Sequence, residues 1–156
     1  MTKKVCYILT KKDSDKLNLH KLKNTKLLLK SDFEEFDYDF HSMLGWMYYP
    51  NFCFATIIDN KIVSCASAGY REKESLVNDK IIDISTITSS AHRGKGYSVS
   101  NVVALCEYVF HMRDMKEIHY ITDVNNIASQ RTAESAGLMK TRYCYIMLRK
   151  ILAKLL

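Results

Sequence analysis

A chain of 156 residues, 47% hydrophobic and 26% charged, suits one globular domain with one core and excludes an intrinsically disordered protein. No run approaches the roughly 20 consecutive apolar residues of a membrane span, and the apolar run Val5–Leu9 is too short for a signal-peptide core, so the chain reads as soluble and cytoplasmic. The net charge of +6, from 23 basic and 17 acidic residues, suits an anionic cofactor, an acidic protein or nucleic acid as partner. The early lysines, from Lys3 to Lys30, are read as a solvated face, because no stacked-aromatic RNA motif or zinc-finger spacing accompanies them. The five cysteines, Cys6, Cys53, Cys65, Cys106 and Cys144, are scattered and never spaced as Cys-x-x-Cys. They read as buried, reduced thiols, with neither a disulfide framework nor a metal site expected.

In chain order, Lys4–Leu9 reads as a first strand. Leucines at 17, 19, 22, 27, 28 and 29 predict a helix over Leu17–Leu29. Ser31, with Glu34 three residues on, forms a capping box for a second helix through Phe33, Phe36, Phe40, Met43 and Leu44, stopped by Gly45. Phe52–Ile58 and Lys61–Tyr70 are strands joined by the turn signal Asp59-Asn60. A polar loop follows, then a strand over Lys80–Thr88 and a loop over Ser89–Gly96. Tyr97–Met112 is an amphipathic helix, Glu117–Thr122 a strand, and Asn125 or Asn126 opens a helix that Gly137 ends. Leu138–Arg149 is the last strand. The order β-α-α-β-β-β-α-β-α-β implies a mixed sheet with helices on both faces, in one domain spanning 1–156.

The chemistry concentrates in Ala91–Ser98, between a strand and a long helix. Gly94 and Gly96 permit backbone angles closed to other residues and let a ligand approach. Successive N–H groups of such a turn converge on an anion, and the helix adds its positive end. Arg93 and Lys95 contribute full charges. The segment is a candidate diphosphate cradle, but the three-glycine Rossmann pattern is not met and no Walker Gly-Lys-Ser/Thr follows. On its own it also fits an ordinary loop with two turn glycines.

Arg93-Gly94-Lys95-Gly96-Tyr97-Ser98 resembles the phosphate loop of the GNAT superfamily of N-acetyltransferases, Gln/Arg-x-x-Gly-x-Gly/Ala, with Ser98 at the last small position. A second stretch is similar to the family's downstream pattern: Asn126, Ser129, Glu134 and Gly137 fall in register, and Leu138 replaces Phe. The likeness runs from about Phe52 to Leu138 and is nearest to a bacterial subgroup described only as GNAT acetyltransferases; the two motifs stand about 30 residues apart in βαβα order. It implies an α/β (α+β) fold, with a mixed, mostly antiparallel sheet of about six or seven strands flanked by about four helices. It implies acetyl-CoA as co-substrate, no metal, and an amine acceptor: a small molecule, an aminoglycoside-like compound, a peptide or a protein. By the same resemblance, Thr86, Ile87 and Thr88 pair with pantetheine amides, and Arg93, Gly94, Lys95, Gly96, Tyr97 and Ser98 hold the diphosphate.

In this family an amine attacks the thioester carbonyl while the enzyme positions both reactants. A backbone N–H of the strand before the loop stabilises the oxyanion, here Ile87 or a neighbour. For the base, the resemblance points near Asp83, which shares a strand face with Ser85 and Ile87; the alternative is a carboxylate satisfied by a neighbouring donor. Asp123 is the second candidate, or a helix cap. Asn126 either contacts pantetheine or caps its helix, and Ser129 either contacts the cofactor or packs. The tyrosine that protonates the leaving thiolate in relatives is Ala133 here; Tyr97, Tyr143 and Tyr145 are the open substitutes. Trp46-Met47-Tyr48-Tyr49 is placed at the acceptor side or in ordinary packing. His92 reads as incidental, and His41, His111 and His119 show no metal-ligand spacing. The rival readings are a non-catalytic acyl-CoA-binding or regulatory module, and binding of an RNA-linked amine through the lysine-rich front. A homodimer is compatible with such a fold, though no residue argues for it.

Overall fold

The structure is a computed structural model, and it describes residues 3–29, 31–32, 37–38, 52–70, 80–112 and 114–141. Eight strands are seen: β1 Lys4–Thr10, β2 Lys26–Leu27, β3 Asp37–Tyr38, β4 Phe52–Ile58, β5 Lys61–Tyr70, β6 Ile81–Thr88, β7 Glu117–Asp123 and β8 Met139–Thr141. Two helices, α1 Tyr97–Met112 and α2 Ile127–Ala136, and short 3-10 turns at Lys11–Lys16, Leu19–Lys21 and Ser90–His92 complete the described elements. The sheet runs β2-β4-β5-β6-β7-β1-β8, with β3 alongside β5 off this path. Every pairing is antiparallel except β3 with β5 and β6 with β7. The mixed, mostly antiparallel sheet is the one expected. Asp59 and Asn60 both carry positive φ, 48° and 60°, as a two-residue hairpin turn requires.

The helix expected over Leu17–Leu29 is not there. Leu17 and Leu28 are buried, but Leu19, Leu22 and Leu29 are 49%, 42% and 62% exposed, so the leucines never line one face. Partners far along the chain claim this backbone instead. Asn18 N–H donates to the Ala136 carbonyl, Lys23 N–H to Ser100 Oγ, and Leu28 N–H to the Cys53 carbonyl, while Lys26 and Leu27 pair with Ala55 and Phe54 of β4. Edge pairing outweighs a weak local helix preference. The described residues therefore carry fewer helices than the four or so expected. Of the second helix, expected through Phe33–Leu44, only Asp37 and Tyr38 are described, and they are the strand β3 beside β5 instead of helix; its other residues, the Trp46–Tyr49 cluster, and Tyr143, Cys144 and Tyr145 lie outside the described residues.

One sheet face is covered by α1 and α2. Tyr7, Leu9, Ile82 and Ile118 from the strands meet Val102, Leu105, Val109, Ala133 and Ala136 from the helices, and Ala66 and Ala68 of β5 join the same core. Burying each larger apolar side chain contributes about 1.5–3 kcal/mol. This packing holds α1 despite its many β-branched residues. The opposite face carries a smaller cluster of Leu28, Cys53, Ala55, Ile62 and Cys65, with Ile57 and Ile87 against it. Cys6, Cys53, Cys65 and Cys106 are free and buried.

Candidate active site

The parallel pairing of β6 with β7 is short. It runs from Ile81 opposite Glu117 to Ile84 opposite Tyr120 and stops, while β6 stays paired to β5 as far as Thr88. The sheet therefore forks, and Ser85–Thr88 present one unpaired edge. Which backbone groups face that edge follows from the ladder. Ser89 N–H donates to the Val63 carbonyl of the β5 side, and the Lys80 carbonyl accepts from Lys116 N–H on the β7 side. Because directions alternate along a strand, Ser85 and Ile87 turn their amides to β5, and Thr86 and Thr88 turn theirs into the fork. Of the expected donors, Ile87 or a neighbour, the Ile87 N–H thus faces β5, and those of its neighbours Thr86 and Thr88 face the fork.

The glycine loop lies at the end of β6. Gly94 and Gly96 have φ of +76° and +79°, in the left-handed region. A Cβ on Gly94 would meet nothing within 4 Å. Ser100 N–H donates to the Gly96 carbonyl, opening α1. The amides of Gly96, Tyr97, Ser98 and Val99 consequently have no acceptor within the helix, which makes the turn a ready anion site. Arg93 folds back so that its Nε–H reaches the Thr88 carbonyl at 3.4 Å, and Arg93 and Lys95 are both exposed. These features fit a diphosphate: open space above Gly94, convergent amides and two cations. His92 is bound to Ser89, Nδ1 to Oγ 2.8 Å, and closes the 3-10 turn before the loop.

Hydroxyls line the helix side of the fork. Tyr120 Oη lies 3.1 Å from Thr86 Oγ1 and 2.7 Å from Ser129 Oγ, so one phenol joins β6, β7 and α2. Asn126 caps α2, its Oδ1 accepting Ser129 N–H at 3.1 Å. Glu134 accepts the Tyr7 hydroxyl at 2.8 Å; burial, with this carboxylate as neighbour, pushes the Tyr7 phenol well above its ordinary range. Gly137, at φ 104°, terminates α2. Ala133 is fully buried in the core, so that position brings no group to the fork.

The other face carries the ionisable groups. Asp83 is half-buried there beside Ser85 and Ile87, with His119 of β7 in register next to it. His119 is 2% exposed and binds Glu117, Nε2 to Oε2 2.8 Å. Asp123 ends β7 in an ion pair with Lys4, Nζ to Oδ1 2.8 Å, and its carbonyl accepts Asn126 N–H.

Two sets of expected residues are thus brought together. Thr86 and Ser129 meet through Tyr120, and Arg93–Gly96 form one loop that runs into Tyr97 and Ser98 at the start of α1. Asp123 belongs to the Lys4 pair. Tyr120, His119 and Lys23, whose Nζ donates to the Lys95 carbonyl at 2.6 Å, are additions. Alternation within EIHYITD places Tyr120 and His119 on opposite faces, but only the register across β6 shows what each face meets. Nothing local marks Lys23.

Residues 29–139, more than half of the chain, match the acetyltransferase (GNAT) domain family. The chain belongs to that family. Its fold is similar to that of a GNAT-family acetyltransferase from Colwellia psychrerythraea, at TM-score 0.66 and 14% identity over 90% of this chain and 53% of that one. A GCN5-related N-acetyltransferase-like protein from Streptococcus suis gives TM-score 0.57 and 17% identity over 90% of this chain and 59% of that one. The chain spans a little over half the length of these structures. No match was found among curated proteins. Among the described residues, no helix is long and apolar enough to cross a membrane, and no three His, Cys, Asp or Glu side chains form a metal-binding group.

Proposed function

We propose that the protein transfers an acetyl group from acetyl-CoA to a primary amine of a small molecule, peptide or protein, by direct attack with both substrates bound. The observation that carries this reading is the positive-φ Gly94–Gly96 loop, which opens α1 beside the unpaired edge of β6. The amides of residues 96–99, with Arg93 and Lys95, hold the diphosphate. The outward backbone groups of Thr86 and Thr88 pair with the pantetheine arm, and their N–H groups are the donors nearest the reacting carbonyl. Bound acetyl-CoA supplies an activated thioester; the chain supplies alignment, which accounts for much of the rate in such bimolecular steps.

The two faces of the fork divide the proton work. On the acidic face Asp83 accepts the proton of the incoming amine, with His119 and Glu117 next in line. On the hydroxyl face Tyr120 Oη, held between Thr86 and Ser129, hands a proton to the departing thiolate. Asn126 holds the first turn of α2, and Ser129 with it, at the fork. Asp123 is assigned to structure, through Lys4.

Calorimetric titration with acetyl-CoA, with CoA and NADH as controls, tests the site, and free-thiol release with a panel of amines tests the chemistry. Binding of both CoA species but not NADH, followed by amine-dependent thiol release, is expected. Binding without turnover across the panel would replace the enzyme by a non-catalytic acyl-CoA-binding module. Absence of binding would overturn the assignment of the loop.

A further inference from the structure

We infer that Lys23 is a third cation of the phosphate cradle and binds the diphosphate of acetyl-CoA from the side facing the N-terminal segment; this rests on the acetyl-CoA reading above. An exposed lysine ordinarily spends its entropy in solvent, but this one is fixed at both ends. Its backbone N–H donates to Ser100 Oγ at 2.8 Å, and Ser100 is fully buried in the first turn of α1. Two residues on, Thr25 Oγ1 donates to Asn101 Oδ1 at 2.5 Å. Asn101, also fully buried, accepts from Thr56 and donates to Ser64, and Ser64 is bonded to Thr88 at the end of β6. The backbone at Lys23 is therefore tied through a buried polar network to both elements that flank the glycine loop.

The side chain continues onto the loop itself. Lys23 Nζ donates to the Lys95 carbonyl at 2.6 Å and sits 5.8 Å from the centre of the Tyr97 ring. It lies 3.3 Å from where a Cβ on Gly96 would be. A lysine ammonium has three N–H donors, and the Lys95 carbonyl uses one, leaving two over the glycine. Among the described residues no carboxylate pairs with Lys23, Arg93 or Lys95. Three cations gathered on one loop repel one another until an anion enters, and a diphosphate meets all three. The same geometry gives Gly96 a second reason to be glycine, since a side chain there would push the ammonium away.

The test compares wild type with Lys23→Met, which keeps an aliphatic chain over Tyr97 but loses the charge, by titration with acetyl-CoA, 3′-dephospho-acetyl-CoA and S-acetylpantetheine. Loss of one charged hydrogen bond at an exposed site is expected to weaken the first two about tenfold and leave the phosphate-free ligand unchanged. The salt dependence of acetyl-CoA binding should also become shallower, and thermal stability should not move. Unchanged affinity for acetyl-CoA overturns the inference. So does an equal loss for S-acetylpantetheine, which would make Lys23 a structural strut, and so does a loss confined to acetyl-CoA, which would place Lys23 on the 3′-phosphate. Failure of the wild type to bind acetyl-CoA would instead remove the proposed function, and this inference with it.

Discussion

Replacing Gly96 with Asp probes the cradle at its most constrained point. The residue has φ +79°, so any side chain is strained there by about 1–2 kcal/mol. The new Cβ would stand 3.3 Å from Lys23 Nζ and 3.7 Å from its Cε; this is the far end of a flexible side chain, which can retreat. The main effect is therefore electrostatic. A carboxylate about 4 Å from a diphosphate oxygen costs about 1 kcal/mol per unit charge in water, and more where the surface lowers the dielectric constant. Taking the lower figure for two phosphate charges gives about 2 kcal/mol, or roughly thirtyfold in affinity. The new carboxylate would also capture the Lys23 ammonium and so subtract a cation. Gly94→Ala is the control: its φ of +76° imposes a similar strain, but its Cβ meets nothing within 4 Å, so the cradle keeps its charge and its opening. Calorimetry with acetyl-CoA, at low and high salt, should show a loss of thirtyfold or more for Gly96→Asp that shrinks with salt, and only a few-fold loss for Gly94→Ala. Comparable small losses for both variants would refute the placement of the phosphates over Gly96.

Asp83→Asn should lower turnover at least tenfold while acetyl-CoA affinity stays within about twofold; turnover equal to wild type from about pH 6 to 9 would remove Asp83 from the mechanism. Gly137→Ala should cost about 2–3 kcal/mol in urea denaturation, because φ is 104° and the Cβ would fall 2.2 Å from the Lys16 carbonyl oxygen; a loss under about 1 kcal/mol would contradict that contact. Asp32 accepts Leu29 N–H and pairs with Lys26, both at 2.6 Å, which holds its carboxyl below the usual range with the Leu29 amide as the larger cause. A carboxyl lowered by folding stabilises above its unfolded value, near pH 4, and loses that contribution as pH falls through the lower native value. Asp32→Asn should thus cost about 1 kcal/mol at pH 7, allowing for solvent around Lys26, and progressively less as pH falls through the lowered native value; a pH-independent difference in melting temperature would argue against the ion pair.

Local signals account for what the sequence made legible. Helix α1 was readable because a glycine loop precedes it and its apolar positions persist for 16 residues. Strands β4 and β5 were readable because Asp59-Asn60 tolerates positive φ between two apolar runs. The glycine loop was legible from Gly94, Gly96 and the helix behind it, but its reading as a phosphate cradle leaned on the family resemblance, since two turn glycines alone also fit an ordinary loop. The orientation of β6 was a different kind of question. Whether Ile87 or Thr86 faces the fork depends on a bond between Ser89 and Val63, 26 positions back, and no periodicity within IIDISTIT contains that information. The hydroxyl at the fork was hidden likewise: the Tyr120 ring lies in the core, while its oxygen reaches Thr86 and Ser129 across two other elements.

The misread segment over Leu17–Leu29 shows why distance, rather than propensity, governs the front of the chain. Asn18 is anchored to Ala136, just before the strand that pairs with β1, and Lys26 is anchored to β4. Between β1 and β4 lie β7, β6 and β5, four interstrand spacings of about 4.8 Å, or about 19 Å. A helix from residue 18 to 26 would rise only about 12 Å, whereas an extended chain reaches about 26 Å. With both ends held, the segment must cross mostly extended. Its path passes the first turn of α1, where Ser100 and Asn101 take its polar groups. That crossing brings Lys23 to Lys95 and Gly96. A helix of the same sequence would fall short of β4, and the same extension that spoils the leucine stripe delivers an ammonium to the phosphate loop.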